Sequence, residues 1–421
     1  MARITPRRLL KTVLITALLV LAYQLGTLKE RIFTLDALKS KVSIERDSDS
    51  NSSLSDEPIL APITVSTEPL ENTMSLELRE LVDSVAERKF YPAMVRDTPS
   101  LATQLPPNGY SRDFPRNGCW EKEGKLKCIP GLYLAGFPKC GTSDLFVKLA
   151  WHPAIRKPGN GEKEHYWWSP GRLDNDLYSY VDKVTPPDMD STKDAYIMDG
   201  SPSLVNGILG WYPERFPQFE LPPYTNADIL HWAIPTAKVI AAVRNPVERS
   251  WSAYFYFNDH PPLSAASFEV DSRKMVEDMN ECLEGKSLRY CCAHWREKMW
   301  HRRILLQGSI YICYLVDWKL KFGANFYLVN LDEVRDDPMG MYKDIFKWLD
   351  LTTDLDFTGL EKSLKKVTTL GVRGKKVKML DESRLRLEAF FKPFNIILAE
   401  FFNNDGFLKW NERSSHSPDL N

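Results

Sequence analysis

Residues 131–145 read Gly-Leu-Tyr-Leu-Ala-Gly-Phe-Pro-Lys-Cys-Gly-Thr-Ser-Asp-Leu, and this stretch decides the fold. The apolar run Leu132–Phe137 predicts a short buried strand, and Thr142–Ala150 has the spacing of an amphipathic helix. Gly141 allows a tight turn between them. The N–H groups at the helix start and the ammonium of Lys139 together predict a site for a doubly charged anion. A strand–turn–helix joint with an incidental lysine is the alternative.

The position of the lysine separates this loop from the triphosphate-binding loop G-x-x-x-x-G-K-[ST]. Lys139 lies before Gly141, whereas the triphosphate loop has its lysine directly after the second glycine. This argues against a phosphoryl-transfer enzyme that uses ATP. The loop instead resembles P-K-[SCT]-G-[ST]-[ST], the 5′-phosphosulfate loop of sulfotransferases that use 3′-phosphoadenylyl sulfate (PAPS). The resemblance assigns these residues to the donor: Lys139, which also acts in catalysis, Cys140, Gly141, Thr142 and Ser143.

A second apolar run, Lys238–Val243, also predicts a buried parallel strand. Arg244 follows it, and an Asn-Pro pair then opens a helix. The pattern resembles R-[ND]-P-x-x-R-x-x-S, which holds the 3′-phosphate in PAPS sulfotransferases, so the resemblance assigns Arg244 and Ser252 to that group. Arg249 is expected only to pair with a carboxylate on the helix. Taken alone, the segment would be a strand–helix joint with solvated charges.

Residues 162–168, Glu-Lys-Glu-His-Tyr-Trp-Trp, contain the candidate base. Transfer to a sugar hydroxyl needs a group that accepts the hydroxyl proton, and a partly desolvated carboxylate beside a dry aromatic wall can do so. The segment resembles K-E-x-H followed by two aromatic residues in glycan sulfotransferases, whose glutamate is the base. Superposing the aromatic pairs makes Glu164 the base, with Glu162 as the alternative. The same superposition places Tyr166 at the position where the family pattern has histidine. His165 lies one residue before that position.

Two later segments agree with the family in their order along the chain. Residues 199–203, Asp-Gly-Ser-Pro-Ser, resemble the segment that lines the acceptor cleft. Residues 369–378 resemble the glycine- and lysine-rich loop that closes over the nucleotide, although a solvated charged loop is the alternative. The resemblance assigns to the acceptor Lys163, His165, Trp167, Trp168 and Ser201. It assigns to the nucleotide Arg373, Gly374, Lys375 and Lys376.

Further patterns narrow the resemblance to one branch of the carbohydrate sulfotransferases. They are C-W-x-x-x-G-x-L-x-C at 119–128, F-N-x-x-x-P-L-S-A-x-S-F at 257–268 and M-L-x-E-x-R-x-x-L-E-x-F-[FY]-x-P-F-N at 379–395. They look most like the N-acetylgalactosamine (GalNAc) 4-sulfate 6-O-sulfotransferases, which implies chondroitin or dermatan sulfate as the glycosaminoglycan acceptor. A heparan-type or other glycan sulfotransferase and a catalytically inactive glycan-binding protein of the same fold are the alternatives.

The length, apolar content and net charge of the chain limit the kinds of partner that it is expected to bind. The chain has 421 residues, 43% of them apolar, which is enough for one large core. Its formal net charge of −1 gives no overall basic field. A polyanionic acceptor must therefore meet a local basic patch, and nucleic acid is not an expected partner.

The N-terminus predicts a membrane anchor. Basic residues within 1–11 precede the apolar stretch 12–28, which is long enough to cross a thin bilayer. By the positive-inside rule, residues 1–11 form a cytoplasmic tail and the rest is lumenal, as in a single-pass type II protein of the Golgi membrane. A cleaved signal peptide is the alternative, although residues 17–25 have no small-x-small cleavage site.

Residues 29–115 are expected to form a lumenal stem, followed by a sulfotransferase domain at 116–413 and a tail at 414–421. Residues 40–75 are too polar to fold alone. They contain the one permitted N-x-[ST] glycosylation site, at Asn51. Residues 76–90 have helical spacing with two interpretations: a stem helix or homodimer contact, or a short helix packed on the domain.

Seven cysteines in a lumenal chain leave at least one unpaired. Cys119 and Cys128 flank a hairpin-like segment, which predicts a disulfide between them. Cys140 is expected to stay free in the anion-binding loop. Connectivity among the others stays open: Cys282 with Cys291 or Cys292, and the remaining one with Cys313. A zinc site lacks the usual ligand spacing, so no metal is expected.

These patterns together predict a three-layer α/β domain, P-loop-like, with a central parallel sheet. The predicted strands are Leu132–Phe137, Tyr196–Met198, Lys238–Val243 and Phe326–Asn330. The predicted covering helices include Leu145–Trp151 and Met341–Leu349. Ligands of such sheets bind at the carboxyl ends of the strands, where Lys139, Asp199 and Arg244 lie. A long helix is predicted at Ser383–Phe402, with Pro393 as a kink or break.

Overall fold

A five-stranded parallel sheet lies at the centre of the protein. The computed structural model describes residues 74–86, 94, 98–168, 175–206, 219–258, 263–294, 306–334, 337–364 and 377–412. Strands β1 (Gly118–Lys122) and β2 (Lys125–Ile129) form a separate antiparallel hairpin. The sheet contains β3 (Leu132–Gly136), β4 (Ile155–Arg156), β5 (Tyr196–Asp199), β6 (Lys238–Val243) and β7 (Phe326–Asn330). Their order across the sheet is β4-β5-β3-β6-β7.

Helices connect the strands of the central sheet along the described chain. The α-helices are α1 (Leu76–Ala86), α2 (Pro99–Gln104), α3 (Thr142–Leu149), α4 (Leu177–Val184), α5 (Asn226–Ala233), α6 (Pro246–Phe257), α7 (Ala265–Gly285), α8 (Leu288–His294), α9 (Ile312–Phe322), α10 (Pro338–Trp348), α11 (Thr358–Leu364) and α12 (Asp381–Phe402). Short 3₁₀ helices span Met189–Ser191, Gln307–Ser309, Gly323–Asn325 and Asp405–Asn411. The predicted α/β class with a central parallel sheet is confirmed.

Burial explains why the sheet forms. Every residue of β3 is buried, and only the first residue of β6 is partly exposed, so layers cover both faces. Each large aliphatic side chain buried in this way contributes about 1.5–3 kcal/mol. Helix α12 adds Leu387, Phe391 and Leu398 to the same core and continues through Pro393, which does not break it.

Helix α1 packs against the sheet domain. Its Leu78, Leu81 and Val85 are buried, and the backbone N–H of Ser75 donates a hydrogen bond of 2.5 Å to Glu400 of α12. The second interpretation of residues 76–90 is therefore the correct one for the part that the structure describes. This part of the predicted stem therefore packs on the predicted domain, and the domain start at 116 stays a prediction.

The predicted anchor at 12–28 and Asn51 lie outside the described residues. Within the described ranges, which begin at residue 74, there is no helix both long and apolar enough to cross a membrane.

Three disulfides resolve the cysteine pattern. The hairpin register places Cys119 opposite Cys128, and the two are bonded as predicted. The pairs left open by the sequence are Cys282–Cys291 and Cys292–Cys313, which link α7, α8 and α9. Cys140 is free and buried.

Candidate active site

The loop between β3 and α3 has the backbone shape of an anion cradle. Lys139 and Gly141 both adopt left-handed conformations, with φ of 69° and 65°. A Cβ atom at Gly141 would lie 2.8 Å from a terminal methyl of Leu331, and the left-handed backbone there favours glycine over other residues. Helix α3 starts at the next residue, and the first N–H groups of a helix have no partner within it. The residues present therefore fit a phosphate or phosphosulfate group.

Cations converge on this cradle. Burial lowers the pKa of the Lys139 ammonium, and the guanidinium groups of Arg244 and Arg249 lower it further. The Lys139 Nζ atom lies 3.7 Å from the centroid of the Tyr256 ring. Mutually repelling cations at the end of two neighbouring strands make the site favourable for an anion.

Arg249 stabilises the backbone of the loop between β3 and α3. Its guanidinium is fully buried; Nε donates to the Pro138 carbonyl at 3.1 Å and Nη1 donates to Ser309 Oγ at 2.8 Å. These two acceptors are a carbonyl and a hydroxyl, whereas the sequence suggested a carboxylate on the helix. Because Pro138 precedes Lys139 directly, this buried side chain fixes the turn that presents the lysine.

Arg244 and Ser252 occupy the neighbouring strand end and its helix. Arg244 follows β6, and its carbonyl accepts a hydrogen bond of 2.8 Å from the Tyr311 hydroxyl. The same hydroxyl lies 3.6 Å from Cys140 Sγ, so Tyr311 joins the two loops. Helix α6 begins as predicted, because the Asn245 side chain accepts from the N–H groups of the first turn. Arg244 and Ser252 are both partly exposed and accessible to a ligand.

The carboxylate of Glu164 is held by two donors. Its Oε1 accepts from Lys163 Nζ at 2.5 Å, and its Oε2 accepts from the Tyr166 hydroxyl. Tyr166 has a left-handed backbone with φ of 54°, and its N–H donates to Ser201 Oγ at 3.0 Å. The Glu164 side chain remains 28% exposed. Sequence reasoning gave Tyr166 no role, although its position in the family pattern was the available signal.

The other three acceptor residues predicted in this segment lie in the interior. The His165 side chain is 3% exposed and meets the ring of Tyr180 at 5.8 Å. Trp167 stacks on Tyr180 at 5.3 Å, and Trp168 donates to its hydroxyl at 3.2 Å. Tyr180 in turn donates to Asp199 at 2.8 Å. The aromatic wall therefore forms the back of the site.

Hydrogen bonds connect the base segment to the sheet. The Gly200 N–H donates to the Lys163 carbonyl at 3.0 Å, and the Ser201 N–H donates to Asp199 at 2.9 Å. A Cβ atom at Gly200 would lie 2.6 Å from Phe146 of α3. Since β5 pairs with β3, these contacts place Glu164 at the same sheet edge as the cradle.

The predicted nucleotide loop with Arg373, Gly374, Lys375 and Lys376 lies outside the described residues. Within the residues that the structure describes, no three His, Cys, Asp or Glu side chains could hold a metal ion together.

This geometry suits the transfer of an anionic group. A cradle with cations can hold the donor and stabilise charge on a leaving oxygen. A carboxylate oriented by two donors can accept a proton from a hydroxyl held nearby. Both lie at one edge of the sheet.

Comparison with curated proteins gives the reaction class of the relatives. The chain is 26% identical over 315 residues to mouse carbohydrate sulfotransferase 15, covering 68% of this chain and 55% of that protein. It is 24% identical over 308 residues to the human bifunctional heparan sulfate N-deacetylase/N-sulfotransferase 2, covering 68% of this chain and 31% of that protein. Its relatives are carbohydrate sulfotransferases. The resemblance predicted from the motifs is confirmed.

The chain spans about half the length of carbohydrate sulfotransferase 15. No protein-family model matches it. Among solved structures, the sulfotransferase from Alicyclobacillus acidocaldarius has a TM-score of 0.43 and 21% identity, covering 68% of this chain and 99% of that one.

Proposed function

We propose that this protein is a carbohydrate sulfotransferase that moves the sulfuryl group of PAPS to a hydroxyl of a glycosaminoglycan. The observation that carries the proposal is the common position of the Lys139 cradle, Arg244 and Glu164 at one edge of the sheet. The carbohydrate sulfotransferase relatives support the reaction class.

The donor would be held by two strand ends. Lys139 and the start of α3 would hold the 5′-phosphosulfate, and Arg244 with Ser252 would hold the 3′-phosphate. The loop at 373–376 would close over the nucleotide. PAPS supplies an activated sulfuryl group, so these residues need only bind it, orient it and stabilise charge.

The residues of the chain would divide the chemistry between them. Glu164 takes the proton of the acceptor hydroxyl as the hydroxyl oxygen bonds to sulfur. Lys139 donates a hydrogen bond to the bridging oxygen, which keeps the electron pair when its bond to sulfur breaks. The products are a sulfate ester and 3′,5′-adenosine bisphosphate.

For the acceptor we propose the 6-hydroxyl of GalNAc 4-sulfate in chondroitin or dermatan sulfate, supported by the branch patterns at 257–268 and 379–395. A heparan-type acceptor is the second candidate, because the chain is also similar to a heparan sulfate N-deacetylase/N-sulfotransferase. We place the enzyme in the Golgi membrane as a single-pass type II protein. The basic residues before the stretch 12–28 and the three disulfides support this location.

A transfer assay tests the function. The full chain is incubated with labelled PAPS and separately with chondroitin 4-sulfate, dermatan sulfate, desulfated chondroitin and heparan sulfate, followed by disaccharide analysis. We expect label in a 4,6-disulfated GalNAc disaccharide. Label confined to heparan sulfate would establish the second candidate. Glycan binding without transfer to any acceptor would establish an inactive binding protein.

Arg244→Ala should weaken nucleotide binding selectively. The guanidinium is proposed to hold the 3′-phosphate, and hydrogen bonds to charged groups contribute about 1.5–3 kcal/mol. Calorimetry should show that affinity for 3′,5′-adenosine bisphosphate falls about 10- to 100-fold, while affinity for 5′-AMP changes little. Arg156→Ala, which removes the partner of Asp188 away from the site, is the control. Equal losses for both nucleotides would contradict the assignment.

Tyr166→Phe should slow transfer without weakening donor binding. The change removes the hydroxyl that donates to Glu164, so the carboxylate loses one of the two groups that orient it. We expect kcat to fall about 10-fold with little change in KM for PAPS. Tyr178→Phe removes a hydroxyl that instead contacts the Gln104 carbonyl, and it should be neutral. An unchanged kcat in Tyr166→Phe would show that Lys163 orients Glu164 alone.

A further inference from the structure

Tyr256 is an exposed aromatic residue at the mouth of the cradle. It belongs to α6, its side chain is 59% exposed, and its ring lies 3.7 Å from Lys139 Nζ. Ser252 lies one helical turn earlier, so both residues face the same side of α6. Tyr256 therefore contacts the lysine proposed to hold the 5′-phosphosulfate and lies one helical turn from the serine proposed to hold the 3′-phosphate.

The surroundings of Lys139 otherwise disfavour its charge. Burial and the neighbouring Arg244 and Arg249 lower the pKa of the ammonium, while Cys140 acts in the opposite direction. The face of an aromatic ring attracts a cation through its quadrupole. The Tyr256 ring is thus a neutral group that favours the charged form of Lys139.

We propose that Tyr256 is a positioning residue whose ring holds the Lys139 ammonium charged and over the cradle until the donor arrives. The part of Tyr256 in donor binding rests on the proposed function, whereas the contact between its ring and Lys139 is observed independently of that function. A ring suits the task better than a carboxylate would. The ring attracts the ammonium only weakly, so an incoming phosphosulfate can replace it as the partner of Lys139. The ring also adds no negative charge that would repel the donor.

The test measures the pKa of Lys139 directly. The full chain is labelled with [¹³Cε]lysine, and the Lys139 signal is assigned by its loss in Lys139→Arg. Tyr256→Leu should lower the Lys139 pKa by about half a unit, as expected for an exposed cation–π contact. Tyr256→Phe keeps the ring and should leave the pKa at the wild-type value. Tyr178→Leu removes a matched ring, 3.8 Å from Lys122, and should not shift Lys139.

Transfer kinetics supply the second readout. Because Lys139 acts in its charged form, the alkaline limb of kcat/KM should move to lower pH in Tyr256→Leu and stay in place in Tyr256→Phe. An unchanged Lys139 pKa in Tyr256→Leu would overturn the inference. An equal loss of rate at every pH in both variants would also overturn it. If the wild-type chain transfers no sulfate, the proposed function fails, yet the titration still decides the role of Tyr256.

Discussion

Lys139→Ala should abolish sulfuryl transfer while the protein remains folded. The ammonium is the group proposed to neutralise charge on the bridging oxygen, and removing one such contact lowers kcat by about 10²–10³-fold. The fold should survive because the side chain is only partly buried, and alanine meets the same left-handed backbone as lysine does. Single-turnover assays with saturating PAPS and chondroitin 4-sulfate measure the loss.

Lys157→Ala is the control for this experiment. Lys157 is exposed and lies just after β4, outside the cradle, so its removal should leave turnover and thermal stability unchanged. Near-normal turnover in Lys139→Ala would remove the lysine from the mechanism. A large fall in melting temperature would mean that the turn, rather than the charge, had been lost.

The strands nearest the site could be predicted from the sequence. The bounds of β6 and β7 agree with the prediction, because each strand is a continuous apolar run with a clear stop. The Asn-Pro pair marked the start of α6 for a local reason: the asparagine side chain caps the first turn. Strand β4 has only two residues, Ile155 and Arg156, which is too short for any pattern to reveal.

The burial of Arg249, Trp167 and Trp168 depends on contacts between residues that are far apart in sequence, which the sequence pattern does not reveal. Arg249 reads as a solvated helix charge, and its burial depends on the Pro138 carbonyl and on Ser309, which is 60 residues away in sequence. The sequence predicts Trp167 and Trp168 as a dry aromatic wall beside the acceptor, but both side chains are buried. Tyr180, which contacts both rings, decides for the core.

The sequence predicts the residue that acts as base, and the structure adds the groups that orient it. Aligning the aromatic pair with the family pattern predicts Glu164 as the base. Only the structure shows that Tyr166 and Lys163 donate to its two carboxylate oxygens. The outward position of Glu164 follows from the inward position of its neighbours. His165 and the tryptophans anchor the segment in the core, which leaves the carboxylate at the surface of the cleft.

Glu164→Gln should be the most damaging conservative change in this segment. Glutamine keeps the size of the side chain and an oxygen for Tyr166 or Lys163, but it cannot accept the hydroxyl proton. Turnover should therefore fall by about 10²–10⁴-fold while the affinity for PAPS changes little. Single-turnover transfer and calorimetry with 3′,5′-adenosine bisphosphate measure the two quantities separately.

Glu162→Gln is the matched control, because its carboxylate side chain is 66% exposed and lies 3.8 Å from the buried His165. That change should be mild. If Glu162→Gln were inactive and Glu164→Gln active, the register of the motif would be wrong by two residues. If only His165→Ala lost activity, an imidazole would be the base, and the acid limb of the pH–rate profile should then lie near neutral pH. The burial of His165 behind Glu164 argues against that outcome, because a base must reach the acceptor hydroxyl.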